Sequence, residues 1–348
     1  MTAITDNGEK LIFSEEGKVR VVPKRVGYNG AAAFVDWLTF TFHESSVTKS
    51  RGFVASPVSD EQLIMVVSQW LARVLGFGIT ERRSLGMNFY TRSYVIGDNY
   101  GFVCHGGQNG TLCVILNGDG CAAAREGWEK RLHDSAQSGT LINARITRCD
   151  LAHDDFGGAY SVDWAREAFG EGKFRNHARN PYIEMRGNWV EPDGSGRTLY
   201  IGKRQSGKYA RIYEKGRQMG DPDSEWLRIE VEFKNEDRVI PWDCLLRPGE
   251  YLAGAYPALA EIAGVQCRIR TLKARAEKSL ARVESWMKHQ CGASLAALMV
   301  IYGSADVVME RIADPAALDE RLPAAFVIPD VRNSPAGLHE DLPAWMVS

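Results

Sequence analysis

Three short segments of this 348-residue chain carry charged or phenolic groups at every second position, the period of a β-strand. In Arg148-Cys149-Asp150-Leu151-Ala152-His153-Asp154, the side chains of Arg148, Asp150, Ala152 and Asp154 share one face. Two carboxylates roughly 7 Å apart on such a face are costly unless water or a cation neutralises them, and a hard divalent ion with oxygen ligands suits them. In Arg228-Ile229-Glu230-Val231-Glu232-Phe233, Arg228, Glu230 and Glu232 face one way while Ile229, Val231 and Phe233 face the other. Each segment alone also fits an ordinary half-exposed strand. Paired, the two would make an acidic patch bordered by arginines.

The third segment, 208–216, aligns Tyr209, Arg211, Tyr213 and Lys215 on one strand face. A phenol ordinarily keeps its proton to about pH 10, which makes it a poor nucleophile at neutral pH. Flanking cations and a nearby metal stabilise the phenolate, and a tyrosine so activated can attack a phosphodiester. Arg211 and Lys215, two residues either side of Tyr213, stand where they could do this and grip a phosphate. The same spacing also suits an amphipathic sheet tyrosine.

The elements that must position these groups follow from pattern. The run 34–42 is rich in β-branched and aromatic residues and reads as a strand. Ser59 and Gln62 stand at capping-box spacing before apolar residues at helical intervals, and Gly76 ends that helix. Strands are expected over 87–96, 101–105, 111–116, 143–154, 198–203, 208–215 and 225–233. Helices are expected over 121–133 and from Ser161 to about 169. Beyond 235 the chain reads as helical: a long basic helix over 262–289, then 293–313. The fold class is therefore α+β, a mainly antiparallel twisted β-sheet core with segregated helices, followed by a smaller helical module. The divisions expected are a loose arm (1–30), an α+β domain (31–235), a basic helical module (236–313) and an acidic, proline-rich tail (314–348).

Composition limits the function classes. Basic residues number 42 against 44 acidic, for a net charge of −2, with 45% hydrophobic residues, which excludes a disordered chain or a collagen-like repeat. No apolar run approaches the roughly 18 residues of a membrane helix, and the N-terminus lacks a secretory core. Seven cysteines without CxxC spacing suggest reduced thiols, so a cytoplasmic protein with no membrane association is expected. Charge is unevenly spread: +7 over 173–217, +5 over 266–290 and −5 over 305–348. Local basic fields of this kind attract polyanions whatever the total charge. Several patterns are set aside. Gly106 to Gly110 lacks the ending of a phosphate loop and reads as a hairpin turn; Asn117 to Cys121 reads as a turn into a helix. Trp37, Trp70 and Trp128 read as core. His153 should point away from the aspartates, in a structural role.

The run YIGKRQSGKYARIYEKGRQ, preceded by RCDLAHDD and followed by WLRIEVEF, resembles the replication initiation factor family (the Rep_trans type), in motif order over about 30–250. Its members start rolling-circle replication of small plasmids and filamentous phages. The resemblance implies that Tyr213 attacks one DNA strand, becomes linked to the 5′ phosphate, and later rejoins the strand. Tyr209 ranks below it. It implies Mg or Mn held by carboxylates drawn from Asp150, Asp154, Glu230 and Glu232. The His-hydrophobic-His pair with which many other rolling-circle nucleases hold their metal is absent. Arg148, Lys203, Arg204, Lys208 and Arg228 would meet DNA. A basic helix carrying Arg268, Arg270, Lys273, Arg275, Lys278 and Arg282 would contact the origin duplex. A homodimer working with a host helicase and polymerase is implied. The alternatives are a DNA-binding regulator that never cuts, and a metal-dependent nuclease that uses water.

Overall fold

The computed structural model describes residues 2–4, 10–13, 19–22, 24–49, 53, 59–175, 179–236, 238–264, 287–288 and 291–313. The chain divides into two compact units, Met1–Ile269 and Arg270–Ser348. Within the first, β1 (Thr2–Ile4), β2 (Lys10–Phe13) and β3 (Val19–Val22) form a small antiparallel sheet. The strands that follow are β4 (Phe34–His43), β5 (Ile79–Arg82), β6 (Arg92–Ile96), β7 (Gly101–His105), β8 (Thr111–Leu116) and β9 (Arg145–Asp155). They continue with β10 (Ile183–Arg186), β11 (Thr198–Ile201), β12 (Lys208–Glu214) and β13 (Leu227–Lys234). These ten make one antiparallel sheet in the order β10-β11-β12-β13-β9-β4-β8-β7-β6-β5. The α+β class expected from the pattern is the one found.

Alternation gives this sheet an apolar face and an open one. Leu38, Phe40 and Phe42 of β4, Cys149 and Leu151 of β9, Ile212 of β12 and Ile229, Val231 and Phe233 of β13 join one core. The helix Asp60–Leu75 contributes Val67, Trp70 and Leu71 to it. Its start is as the sequence implies, the Ser59 hydroxyl accepting from the Gln62 N–H, and it stops at Gly76 with φ +94°, a left-handed conformation suited to glycine. Ser161 caps the helix Val162–Gly170 by accepting from the Trp164 N–H.

Local departures have local causes. The helix expected over 121–133 is two, Gly118–Ala123 and Trp128–Gln137, because Gly127 takes φ +75° between them. The strand expected over 87–96 begins only at Arg92, since Asn88 and Phe89 both adopt positive φ. The boundary read at 235 falls inside the first unit: Ile240, Cys244, Leu245, Tyr251, Leu252 and Leu259 close the same core as the sheet. Their apolar surface buries there, where a change in sequence texture suggested a new module.

In the second unit, helices Cys291–Tyr302 and Ala305–Ile312 are separated by a bend of 118°, the second capped by Ser304. Among the described residues, no single helix is long and apolar enough to cross a membrane. The basic stretch with Arg268, Arg270, Lys273, Arg275, Lys278 and Arg282, and the tail 314–348, lie outside the described residues.

Candidate active site on the open face of the sheet

Strand register brings the three chemistry-bearing segments side by side. Tyr213 of β12 lies opposite Arg228 of β13, which lies opposite Asp154 of β9. One step along, Arg211 is opposite Glu230. The next row runs Tyr209, Glu232, Asp150 and Trp37 across β12, β13, β9 and β4. Partners directly opposite in an antiparallel pair share a face, so all of these groups stand on the open side.

Arginines interleave the acids. Arg228 clasps Asp154 through Nε and Nη2, at 2.7 and 2.8 Å. Arg148 binds Asp150 through Nε at 2.8 Å and Nη2 at 2.6 Å, and Nη2 also reaches Glu232 at 2.9 Å. Lys234 adds a second cation to Glu232 at 2.8 Å. Arg211 pairs with Glu230 and lies 3.4 Å from Asp150, while its Nε is buried with no hydrogen-bond partner among the described residues. Charges this buried persist only when paired in this way.

A cleft of about 460 Å³ opens among these groups, lined by Tyr213, Arg211, Lys215, Arg228, Asp150 and Glu230. Asp154 and Glu232 are outside its lining; besides Asp150 and Glu230, the carboxylates in the cleft wall are Asp36 and Asp119. Asp36 is paired with Arg25 and lies 3.4 Å from Arg228. Sequence reading missed it for a definite reason. The β4–β9 ladder shifts register between Val35 and Trp37, so Asp36 and Trp37 together oppose Asp150. Such a bulge breaks strict alternation, and both residues line the cleft. The available signal was a lone acid inside the apolar run 34–42.

Trp37 also differs from its sequence reading. Trp70 and Trp128 are core, whereas Trp37 is half-exposed on the open face beneath the Arg148 guanidinium, 4.7 Å from the ring centroid. Asn117 to Cys121 does make the expected turn into a helix, and Gly118 and Asp119 border the cleft.

Electrostatics around Tyr213 run against the expectation from flanking cations. Burial and then Glu230 push its phenol well above the usual range, while Arg228 and Arg211 pull the other way without prevailing. Its hydroxyl makes no hydrogen bond to another described residue. Burial raises the Glu230 carboxyl to about 7, helped by Asp150 and Asp36 and opposed by Arg211. Burial, then Arg228, lowers Lys215, whose Nζ lies 5.8 Å from the Tyr213 ring centroid. Tyr209 is buried and stacked on Tyr200 at 5.7 Å, a packing position.

The oxygen donors in the cleft wall are of the type a hard divalent cation takes. Their arrangement does not form a cage: among the described residues, no three His, Cys, Asp or Glu side chains converge to hold a metal ion. Arg211 occupies the place between Asp150 and Glu230.

The remaining basic residues separate. Lys203 and Arg204 are exposed on the turn joining β11 to β12. Lys208 faces away from the site, its Nζ bonded to the Ala255 carbonyl and 3.8 Å from the Tyr256 ring centroid. His153 is structural, bonded through Nδ1 to the Ala32 carbonyl at 2.7 Å.

Residues 144–312, which include β9, β12 and β13 with Tyr213, Arg211, Lys215, Arg228, Asp150 and Glu230 but not Arg25, Asp36, Trp37 or Asp119, match the family described as replication initiation factor. The putative DNA relaxase NicK of Bacillus subtilis (strain 168) is similar to this chain, 25% identical over 185 residues, 49% of this chain and 51% of its own. The chain thus spans about half the length of the curated relative it matches. A solved structure, that of a rolling circle replication initiator protein from Geobacillus stearothermophilus, has a TM-score of 0.48 at 21% identity, covering 69% of this chain and 98% of that one.

Proposed function

We propose that this protein initiates rolling-circle DNA replication by nicking one strand at a double-strand origin and later rejoining it, with Tyr213 as the nucleophile. The observation that carries the reading is the position of Tyr213: a phenol in a charged cleft, on the open face, within the family-matched segment.

Chemically, the Tyr213 oxygen would form a bond to the scissile phosphorus as the bond from phosphorus to the 3′ oxygen breaks. The 5′ phosphate stays on the tyrosine and the 3′ oxygen takes up a proton. Because a phosphodiester is exchanged for a phosphotyrosine ester, rejoining needs no external energy source. The phenol must shed its proton against its raised affinity, and Glu230, at about 7, is the neighbouring group able to take it and pass it on near neutrality. Lys215 and Arg211 would grip the phosphate oxygens. A divalent cation, Mg or Mn, is expected from the family resemblance; with Glu230 serving as the base, its donors would come from Asp36 and Asp150, and it would supply Lewis-acid polarisation of the phosphate. Lys203 and Arg204 would hold flanking DNA backbone. A homodimer, with host helicase and polymerase extending the free 3′ end, completes the proposal.

The test is a supercoiled plasmid bearing the origin. The expected outcome is a nick that needs Mg or Mn and a protein–DNA adduct that survives denaturation, both lost in Tyr213→Phe, with activity falling at least about 10⁴-fold. A nick without adduct would instead identify a water-using nuclease. The competing regulator reading draws on the arginines that occupy the carboxylates, and binding without any nick would select it.

A further inference from the structure

Beside the Tyr213 cleft, on the same face of the sheet, lies a second cavity of about 460 Å³ with different walls. Trp37, Met87, Phe102 and Ile115 supply apolar and aromatic surface, with Arg148 and Lys234 on the side toward the acids. Arg148 belongs to both sites: it lies over the Trp37 ring and binds Asp150.

Three features indicate a surface built for contact. Phe89, in the loop that contributes Met87 and Asn88 to the cavity wall, is 93% exposed. It also sits at φ +68°, a conformation that a bulky side chain adopts only at a cost. Neighbouring bonds fix it there, the Tyr90 N–H donating to Met87 and the Gln108 amide donating to the Phe89 carbonyl. An exposed aromatic in a strained, fastened loop gives the fold nothing in return. Second, Arg83 lies over the Phe102 ring at 4.9 Å, and its Nη1 is buried without a hydrogen-bond partner among the described residues. Third, the cavity adjoins the Tyr213 cleft at Trp37, which lines both.

We infer that this shelf holds unpaired bases of single-stranded DNA, stacked on Trp37, Phe102 and Phe89, while Arg83 meets the strand's phosphate. The inference rests on the proposed function, since it supplies the place where a melted strand lies while Tyr213 reaches its phosphate. Flat π faces alternating with guanidinium groups are the chemistry of sequence-tolerant single-strand binding. A protein partner would find here few aliphatic anchors, and Arg148 already bound to acids.

The experiment measures fluorescence anisotropy of a short labelled single strand of mixed sequence, and of its duplex, with the full chain. Tyr213→Phe serves as the background so that no covalent capture intervenes. Phe89→Ala, which removes a side chain that is 93% exposed, and Trp37→Ala are each expected to weaken single-strand binding about tenfold while duplex binding stays within about twofold. A 2-aminopurine base in the strand is expected to be quenched by the background protein and brightened by either substitution. Single-strand affinity unchanged in both variants would overturn the inference and turn the shelf into a candidate protein-docking surface. Equal losses on single strand and duplex would overturn it too. The plasmid nicking assay with unsubstituted Tyr213 reports separately: nicking retained beside unchanged single-strand affinity in both variants sinks the shelf alone. Absence of nicking sinks the proposed function.

Discussion

The two ends of the open face use opposite strategies. Around Tyr213, each arginine is answered by an acid, while Lys215 bonds to the Gln218 amide oxygen, and the pairs are largely withdrawn from water; Arg228, Asp150 and Glu230 are buried, as is the side chain of Asp154. Around Phe102 the surface is apolar, and its cation, Arg83, lies over the ring with no acid paired to it among the described residues. The first arrangement has little spare charge to offer until something disturbs its pairs. The second has groups already available. Preorganised chemistry and ready contact are thus kept apart on one sheet, joined by Arg148 and Trp37.

Substitutions can break or sharpen that contrast. The largest effect on stability is expected for Arg228→Ala, which strips the partner from buried Asp154 and one of two from Asp36. Urea unfolding should report a loss of about 3–5 kcal/mol; a loss below about 1 kcal/mol would mean the pairs are not what holds the cleft. A smaller effect concerns pH. The folded-state carboxyl of Glu230 is raised from 4.5 to about 7, so the folded protein binds this proton more tightly than the unfolded chain. Stability from this group is therefore present below about 4.5 and lost as pH rises toward 7. Glu230→Gln should flatten that part of the stability profile, seen as a urea midpoint less dependent on pH over this window. The smallest effect is expected for the exposed pair Lys203 and Arg204. Replacing both by alanine should lower the slope of log affinity against log salt by about 1 to 2 without altering stability.

Much of this was legible in sequence where alternation was strict. In β12 and β13 each residue faces as its position predicts, so the Tyr213, Arg211, Arg228, Glu230 cluster follows from pattern plus pairing. Pairing itself could not be read, because nothing local says that β9 lies next to β13. Asp36 was hidden by a register shift, and Trp37 by its type, since a tryptophan in an apolar run looks like core. Lys208 was misread as a DNA contact because a cation in a basic window looks solvent-facing, yet its stem carries it to the Tyr256 ring. The region 240–262 was misplaced because short 3₁₀ turns bury well without a strong period.

The irregularity at Asp36 carries a consequence for how such a protein can drift. One extra residue in a ten-residue strand is what turns an anion toward the phenol. Losing a single residue there would leave Tyr213, Arg211 and every other listener on neighbouring strands untouched in identity. It would nonetheless rethread the start of β4, swing the carboxylate toward the greasy layer, and silence the cleft by a length change alone.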